Sequence, residues 1–460
     1  MEEMYRNPKL EPNKTNELSM MDKIDALHIK NGVSPPESKV KSVLDITVHK
    51  QPEVFSRLHD AWEALAEKSD QTVCMSPDWT RCWWEYFGRN QDRTLYLITV
   101  HDRDKLVAIF PFYQGISRIA GFTVERRLQL LGSGGSKNER FGFSNDYGIS
   151  DFLDLLVDPD YNEPVAELFV SLLASEELSS HHITFHQVRD DSFIKQCIYP
   201  RLDRMENDVS LEHTDTCPYI DVRGIDSLKA FIKRSKSNAR RRFRQTLRAI
   251  GPENEYVIEE AKTWEDAETM METLIRLHQQ RWNEIGFPGA FHDERFRKFF
   301  REILYVAYQN NRLWFKQARD DRGVCASRML LLYHGRYYDY MSGFDDHRPS
   351  AKYRPGIGLL LNLVEDALAE SVEFIELLRG EESYKYDFAR QNLKNWKITI
   401  PASKHINIPA KLLHAFSFIY KYNNREIQLL KVQYDKGGWW SMIGGYVRFR
   451  VNSLKYKLKS

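Results

Sequence analysis

The sequence predicts an α/β protein in which one kind of sheet domain occurs twice, and three observations carry that expectation. The chain has 460 residues, more than a single core ordinarily holds and enough for two. Alternating or continuous apolar runs of strand length recur between segments whose apolar positions follow helical spacing. The order of strands and helices in the first half then returns, with better-marked parts, in the second.

Elements of the first half follow a polar arm, residues 1–41, that carries Pro8, Pro12, Pro35 and Pro36 and few large apolar residues. A first domain is expected over residues 42–221. Helical spacing covers residues 53–66 and 79–87, the second behind Ser76-Pro77-Asp78, a helix-start pattern. Residues 94–100 and 106–113 read as an antiparallel strand pair turned at Asp102-Arg103-Asp104. Residues 128–131 lead into Gly132-Ser133-Gly134-Gly135-Ser136, a flexible connection. A strand at 152–157, a helix at 164–174 and a strand at 182–187 complete the set.

The second domain is expected over residues 222–405, with a basic, aromatic extension at 406–460. A strand at 219–222 precedes a basic helix at 226–250, stopped by Gly251-Pro252. Then come a strand at 256–260, a helix at 264–285 broken by Gly286-Phe287-Pro288-Gly289, and a helix at 294–309. Three strands follow at 313–318, 324–333 and 336–344. A helix at 358–370 and a strand at 372–378 come next, then a strand at 396–400. The extension holds one helical stretch, 411–422, and an end rich in Trp, Tyr, Lys and Arg that can touch an anionic membrane surface or pack on the second domain.

Composition narrows the function classes. Hydrophobic residues make up 42% and charged residues 28% of the chain, as in soluble globular proteins. A net charge of +1 gives no global pull toward nucleic acid or membrane, so such a role must rest on local patches. The five cysteines form no C-x-x-C pair and no Cys/His cluster at metal spacing, so no metal is expected, and their scatter fits a reducing compartment. The N-terminus lacks the apolar core of a signal peptide, and no apolar run reaches the roughly 18 residues of a membrane helix. The expected location is the cytoplasm.

The stretch from Arg336 to Lys385 is the most informative. A strand ending in Tyr340-Met341-Ser342-Gly343-Phe344 leads through Arg354-Pro355-Gly356-Ile357-Gly358 into a helix, a second strand and the turn Arg379-Gly380-Glu381-Glu382-Ser383-Tyr384-Lys385. Small residues before a helix let its free amides and positive dipole end approach a phosphate. Parallel strands flanking such a helix leave a crevice at their carboxyl ends, where a thioester can lie.

The order of elements over residues 256–400 resembles the GNAT acyltransferase fold. The short motifs resemble the CelD-like branch associated with bacterial cellulose and exopolysaccharide clusters, relatives of the FemAB aminoacyl transferases. They are Leu277-His278-Gln279-Gln280-Arg281-Trp282, Gly286-Phe287-Pro288-Gly289-Ala290-Phe291, Tyr340-Met341-Ser342-Gly343-Phe344, Pro355-Gly356 and Leu378-Arg379-Gly380-Glu381-Glu382-Ser383-Tyr384-Lys385-Tyr386. In the first half Met75-Ser76-Pro77-Asp78-Trp79 with Trp83-Trp84 is similar, as is Leu131-Gly132-Ser133-Gly134 with Ser150-Asp151-Phe152-Leu153-Asp154. The resemblance covers roughly residues 70–400, and its specificity lies in the ordered set.

This resemblance implies two tandem GNAT-like domains with mixed, mostly antiparallel sheets, the first degenerate and the second holding the donor. It implies transfer of an acetyl or other acyl group from acyl-CoA to an amine or hydroxyl acceptor, in envelope or exopolysaccharide (cellulose-type) biosynthesis. GNAT pyrophosphate loops read approximately Arg/Gln-x-x-Gly-x-Gly/Ala, and the loop at Arg354 is one residue shorter before its first glycine. That departure leaves open FemAB-like transfer from aminoacyl-tRNA to a peptidoglycan precursor. A non-catalytic accessory protein of a polysaccharide synthase is the reading from another class.

Candidate residues follow from that frame. Ser342, Gly343, Arg354, Gly356, Ile357 and Gly358 are expected to bind the donor, with a backbone amide near Gly343 facing the thioester oxygen. The catalytic candidates are His278, whose neutral imidazole can accept a proton, and the carboxylates Glu382 and Asp345, the latter in the rival cluster Asp345-Asp346-His347. Arg281, Trp282, Glu381, Lys385 and Trp84, with Trp83 and Tyr147, are candidates for the acceptor, since aromatic rings stack on sugars. The basic run from Lys233 to Arg248 admits three readings: the donor's phosphates, an anionic acceptor, or RNA, the last marked by steep salt dependence.

Overall fold

The computed structural model describes residues 44–89, 93–119, 122–134, 149–175, 178–179, 181–204 and 208–402. The expected N-terminal arm, the C-terminal extension with its 411–422 helix, and Gly135, Ser136 and Tyr147 lie outside the described residues.

The first half runs β1 (Leu44–His49), α1 (Val54–Lys68), α2 (Pro77–Trp83), β2 (Arg93–Asp102), β3 (Lys105–Ile119), β4 (Phe122–Leu130), β5 (Leu156–Val157), α3 (Asn162–Ala174), β6 (His182–Arg189), α4 (Tyr199–Arg204) and β7 (Ser210–Asp221). Two helices follow, α5 (Leu228–Arg234) and α6 (Ser237–Leu247). The second half repeats the first: β8 (Val257–Glu260), α7 (Trp264–Glu284), α8 (Glu294–Gln309), β9 (Leu313–Asp320), β10 (Gly323–Tyr333), β11 (Arg336–Phe344), α9 (Pro355–Ala369), β12 (Phe374–Glu376), α10 (Lys385–Phe388) and β13 (Gln391–Ile400).

Local chemistry sets the boundaries. Ser76 accepts the Trp79 amide and places Pro77 in the first turn of α2, where a missing N–H costs nothing. Thr263 and Asp266 form a reciprocal capping box at the start of α7. His334 and Gly335, both with positive φ (45° and 69°), join β10 to β11, the two-residue geometry that matches strand twist.

One sheet contains all these strands, in the order β1-β2-β3-β4-β6-β13-β7-β12-β11-β10-β9-β8, with β5 added to β3. The order reads the same when the halves are exchanged. Pairing is antiparallel except for β4 with β6 and β11 with β12. The strand closing each half crosses into the other: β7 pairs with β12, and β13 lies between β6 and β7. A cut at residue 221 therefore separates covalent halves, not hydrogen-bonded ones.

Side-chain alternation divides the sheet's two faces. Met329 and Leu331 of β10 join Leu274, Phe299 and Phe300 of α7 and α8 in a core that continues into the first half. Leu330 faces the other way, into the core built on α9 with Phe231 and Phe243.

Several expected elements differ. The 152–157 strand is reduced to Leu156–Val157, because Phe152 has φ +59° and Asp154 accepts the amides of Phe193 and Ile194 at 2.7 and 2.9 Å. The 372–378 strand shortens to Phe374–Glu376, ending before Leu378 turns to φ +55°. The single basic helix is two, broken where Ser235 and Lys236 take extended ψ values of 157° and 151°. The helix expected at Gly358 begins at Pro355. The helix expected over 79–87 is α2, followed by a π-turn from Trp84 to Gly88.

Because β13 is the partner of β6 on that side among the described residues, residues 44–221 and 222–402 expressed separately will each expose an unpaired central edge. Each will aggregate or remain unfolded by circular dichroism and gel filtration, whereas co-expression will recover a soluble complex.

Candidate functional site

The site begins where two parallel strands part. β11 and β12 pair from Arg336 with Phe374 to Tyr338 with Glu376. β12 then ends, while β11 continues along β10 to Phe344 with a bulge at Tyr340. The two strands diverge past Tyr338 and Glu376. At the matching place in the first half, beyond the β4–β6 pairs, buried Phe152 and Leu153 fill the gap and the Leu153 amide donates to the Gln187 carbonyl at 2.9 Å.

The N-terminus of α9 stands on one side of this region. Arg354 is held in the left-handed conformation (φ 57°, ψ 65°), and its carbonyl accepts the amides of Ile357 and Gly358 at 2.9 and 3.1 Å. Pro355 has no N–H, and α9 has no side-chain cap. Gly356 is thus left with the first-turn amide that lacks a backbone acceptor among the described residues. Its glycine is also the one with room: a Cβ there meets nothing within 4 Å. At Gly358 a Cβ would lie 2.3 Å from the Tyr256 hydroxyl, and at Gly343 it would lie 2.8 Å from the His278 backbone nitrogen. Gly358 and Gly343 are small because neighbours pack on them. The structure thus commits the Ile357 and Gly358 amides internally and leaves the Gly356 amide without a backbone acceptor among the described residues.

Beyond β12 the chain turns through Leu378 and Gly380, with φ +55° and +114°. Lys385, 4% exposed, holds that turn by donating to the carbonyls of Leu378 (3.3 Å) and Arg379 (2.8 Å). Its Nζ also pairs with Glu382 at 3.0 Å, and the Glu382 carboxylate lies over Gly380, 2.6 Å from where a Cβ would sit. Glu381 accepts from the Tyr386 hydroxyl at 3.0 Å. Lys385 is therefore a pin inside the turn, while Glu382 presents a half-exposed carboxylate.

Beneath this turn lies a pair that sequence reasoning missed. Arg328 of β10 and Asp339 of β11 form a buried ion pair, each side chain 5% exposed, and the Arg328 guanidinium lies 6.0 Å from the Tyr384 ring. Burial raises the Asp339 carboxyl above its ordinary range while Arg328 pulls it back. Asp339 is the first β11 residue past the last parallel pair. One signal was available: a lone acid among the tyrosines Tyr337, Tyr338 and Tyr340 of one strand.

The remaining candidates fall on the α7 side. His278 is buried, 5.1 Å edge-on to Phe291 and 5.9 Å from Trp282, its Nδ1 3.3 Å from Gln279 Oε1. Burial lowers its pKa to about 4, so the ring is neutral near pH 7. A base that weak takes a proton from an amine only at a cost of several kcal/mol, about 1.4 per unit of mismatch. Arg281 pairs with Asp346 at 3.0 Å and covers the Phe344 ring at 4.0 Å; Trp282 beside it is 39% exposed. Both border the carboxyl end of β11, near half-buried Ser342. Asp345 accepts from Arg348 at 3.2 Å, and Arg348 also pairs with Asp320 at 3.1 Å, which makes Asp345 an anchor of the loop into α9. Trp84 is 6% exposed and packed under Gly88, and Trp83 contacts Phe87 and Tyr113; both lie in the core, not on a sugar-facing wall.

Motifs from the two halves meet beside the parting strands. Arg379 pairs with Asp151 at 2.9 Å and donates to the Ser150 carbonyl at 3.2 Å. Trp79 donates to the Ser150 hydroxyl at 2.8 Å and stands edge-on to Tyr340 at 5.1 Å. The Tyr340 hydroxyl reaches the Ile149 carbonyl at 3.2 Å.

Comparison with known proteins bears on the fold. Residues 237–386 match the family described as acetyltransferase (GNAT) domain. The crystal structure of FemX superposes with a TM-score of 0.51 at 8% identity, covering 78% of this chain and 98% of that one. A conserved protein of unknown function from Bacteroides thetaiotaomicron VPI-5482 gives 0.45 at 11%, covering 77% and 100%. A tandem GNAT protein from the clavulanic acid biosynthesis pathway gives 0.39 at 11%, covering 77% and 98%. At these identities FemX speaks for the fold alone, and the two lower scores carry no weight. No curated protein matches the chain. The fold is α/β and GNAT-like, with a large, mostly antiparallel sheet. Among the described residues no helix is long and apolar enough to cross a membrane.

The neutral His278 gives a signed pH effect. With its folded pKa near 4 against about 6.5 unfolded, its contribution is complete above pH 6.5 and declines as pH falls toward 4. Between pH 7.5 and 5 the wild type should lose about 2 kcal/mol more in urea unfolding than His278→Phe. Equal losses would contradict the buried neutral ring. Gly343→Ala should cost about 1–3 kcal/mol by the same measurement, because the clash is with α7 backbone.

Proposed function

We propose that this protein is an acyltransferase that takes an acetyl or other acyl group from a CoA thioester and passes it to an amine or hydroxyl. The observation that carries the proposal is the Gly356 amide at the mouth of α9, which has no backbone acceptor among the described residues and open space beside its Cα, in the half whose parallel strands part beyond Tyr338 and Glu376. A free amide at a helix N-terminus favours a diphosphate, and exposed Arg354 adds charge. The acyl end then reaches the parting of β11 and β12, where β11 amides beyond Tyr338 have no strand partner on the β12 side and supply donors to the thioester oxygen.

Glu382 is the proton acceptor in this reading, and Lys385 is a positioning residue that holds it above the turn. The acceptor's nitrogen or oxygen attacks the thioester carbonyl carbon, and its proton passes to Glu382. The carbon–sulfur bond then breaks, and the departing thiolate takes a proton from Glu382. Most of the acceleration comes from holding the two reactants together. Arg281, over the Phe344 ring, and its exposed neighbour Trp282 are the acceptor-side residues in this reading. The motif resemblance supports an acceptor of envelope or exopolysaccharide metabolism.

Release of free thiol from acetyl-CoA, followed with a thiol reagent, tests the activity. Gly356→Asp should weaken acetyl-CoA binding at least ten-fold by placing a carboxylate against the diphosphate. Glu382→Gln should lower kcat roughly 100-fold or more with the donor Kd within two-fold. Titration with acetyl-CoA, CoA and charged tRNA separates the alternatives. Binding of tRNA without CoA would select aminoacyl transfer, and binding of none would leave an accessory binding protein.

A further inference from the structure

Beside the mouth of α9 lies a second feature that the transfer chemistry does not use. A cavity of about 930 Å³ runs along α6 and is lined by Arg240, Arg241, Arg244, Arg248, Asn254 and Tyr353, among others. That is the size of a pocket for a molecule as large as a nucleotide. Tyr353 directly precedes Arg354, so the cavity adjoins the segment that presents the Gly356 amide.

Helical spacing explains the lining. Arg241, Arg244 and Arg248 are exposed, lie three or four residues apart and so share one stripe, about 10 Å long at 1.5 Å per residue. Among the described residues no carboxylate forms an ion pair with these three. Arg242, on the other side of the helix, is paired with Asp387 of α10. Arg240 donates to the carbonyls of Lys233 and Ser235 at 2.8 and 3.1 Å, bracing the break between α5 and α6, and its Nε is buried without a partner. Like charges this close repel and call for an anion; guanidinium groups bind phosphate through paired N–H donors.

The uncharged lining points to a base as well as a phosphate. Tyr353 offers a ring for stacking. Asn254 donates its Nδ2 to the Ile250 carbonyl at 2.9 Å, which leaves its Oδ1 to accept from an exocyclic amine. Glu253 and Glu255 also line the cavity, and their carboxylates interrupt the basic track. A terminal nucleotide suits that arrangement better than a continuous RNA strand, whose phosphates need an unbroken one.

We infer that the α6 cavity binds the phosphorylated nucleoside end of the donor, with Arg244 and Arg248 on its 3′-phosphate. This rests on the acyl-CoA reading and adds to it a specificity for CoA over the same molecule lacking that phosphate. Isothermal titration with CoA, dephospho-CoA, adenosine 3′,5′-bisphosphate and a short RNA ending in CCA tests it. The wild type should bind CoA at least ten-fold tighter than dephospho-CoA. Arg244→Gln/Arg248→Gln should bring that ratio within two-fold, with dephospho-CoA affinity unchanged, and Arg241→Gln should give a smaller loss in the same direction. Because these side chains are exposed, the variants keep the fold. Equal affinity for CoA and dephospho-CoA in the wild type would overturn the inference while leaving the transferase reading intact. Binding of the bisphosphate, weakened by the double variant, without binding of either CoA form would uphold the cavity and overturn the acyl-CoA reading. RNA that displaces CoA and binds more tightly would overturn the nucleotide assignment, as would failure of all four ligands to bind.

Discussion

The exchange of β7 and β13 is the constraint on which the rest of the molecule depends. Each strand closes the half it does not follow in the chain, and the two pair with each other at the sheet's centre. Backbone hydrogen bonds at the centre of a sheet cannot be left unmade without a large cost. The halves are therefore locked in register, and the sheet has a single approximate symmetry axis. That register brings Arg379 against Asp151, and Tyr340 against Trp79 and Ile149. The parting strands of the second half are thus flanked by residues of the first.

Symmetry makes the asymmetry informative. Both halves contain a parallel pair at the same topological place, the position at which a sheet can part and admit a ligand. In the first half buried Phe152 and Leu153 occupy it, with Asp154 fixed by two backbone amides. In the second the strands diverge at Asp339, and the turn that follows is held from within by Lys385. The buried Arg328–Asp339 pair is costly to desolvate and gains only from good geometry. Its acid is the first residue of β11 beyond the β12 pairs and is still paired with β10, so the ion pair sits where the parallel strands part.

Most elements were legible from residue order because their signals are local. Capping residues, apolar periodicity and turn glycines act within a few positions, and α7, α8, β9, β10 and β11 fall close to where they were expected. Elements governed by distant partners were misread. The apolar run at 152–157 reads as a strand, yet Phe152 and Asp154 serve the closing of a gap. The basic helix reads as continuous because the break at Ser235 and Lys236 contains no glycine or proline. Trp83 and Trp84 have the composition of a sugar-binding wall, and only packing under Gly88 and Tyr113 places them inside.

The same division runs through the candidate site. Residue order alone determined the α/β class, the duplication, and the cluster of small and charged residues around Arg354–Gly358 and Arg379–Lys385. Tertiary structure decided which member of each cluster faces outward. Gly356 and Gly358 are equivalent in a motif, but Tyr256 stands over one and open space over the other. Glu382 and Lys385 are equally charged in sequence, but two carbonyls bury the lysine and leave the carboxylate exposed. Residue type sets what a side chain can bind, and the atoms brought against it from elsewhere in the chain set whether it is already bound.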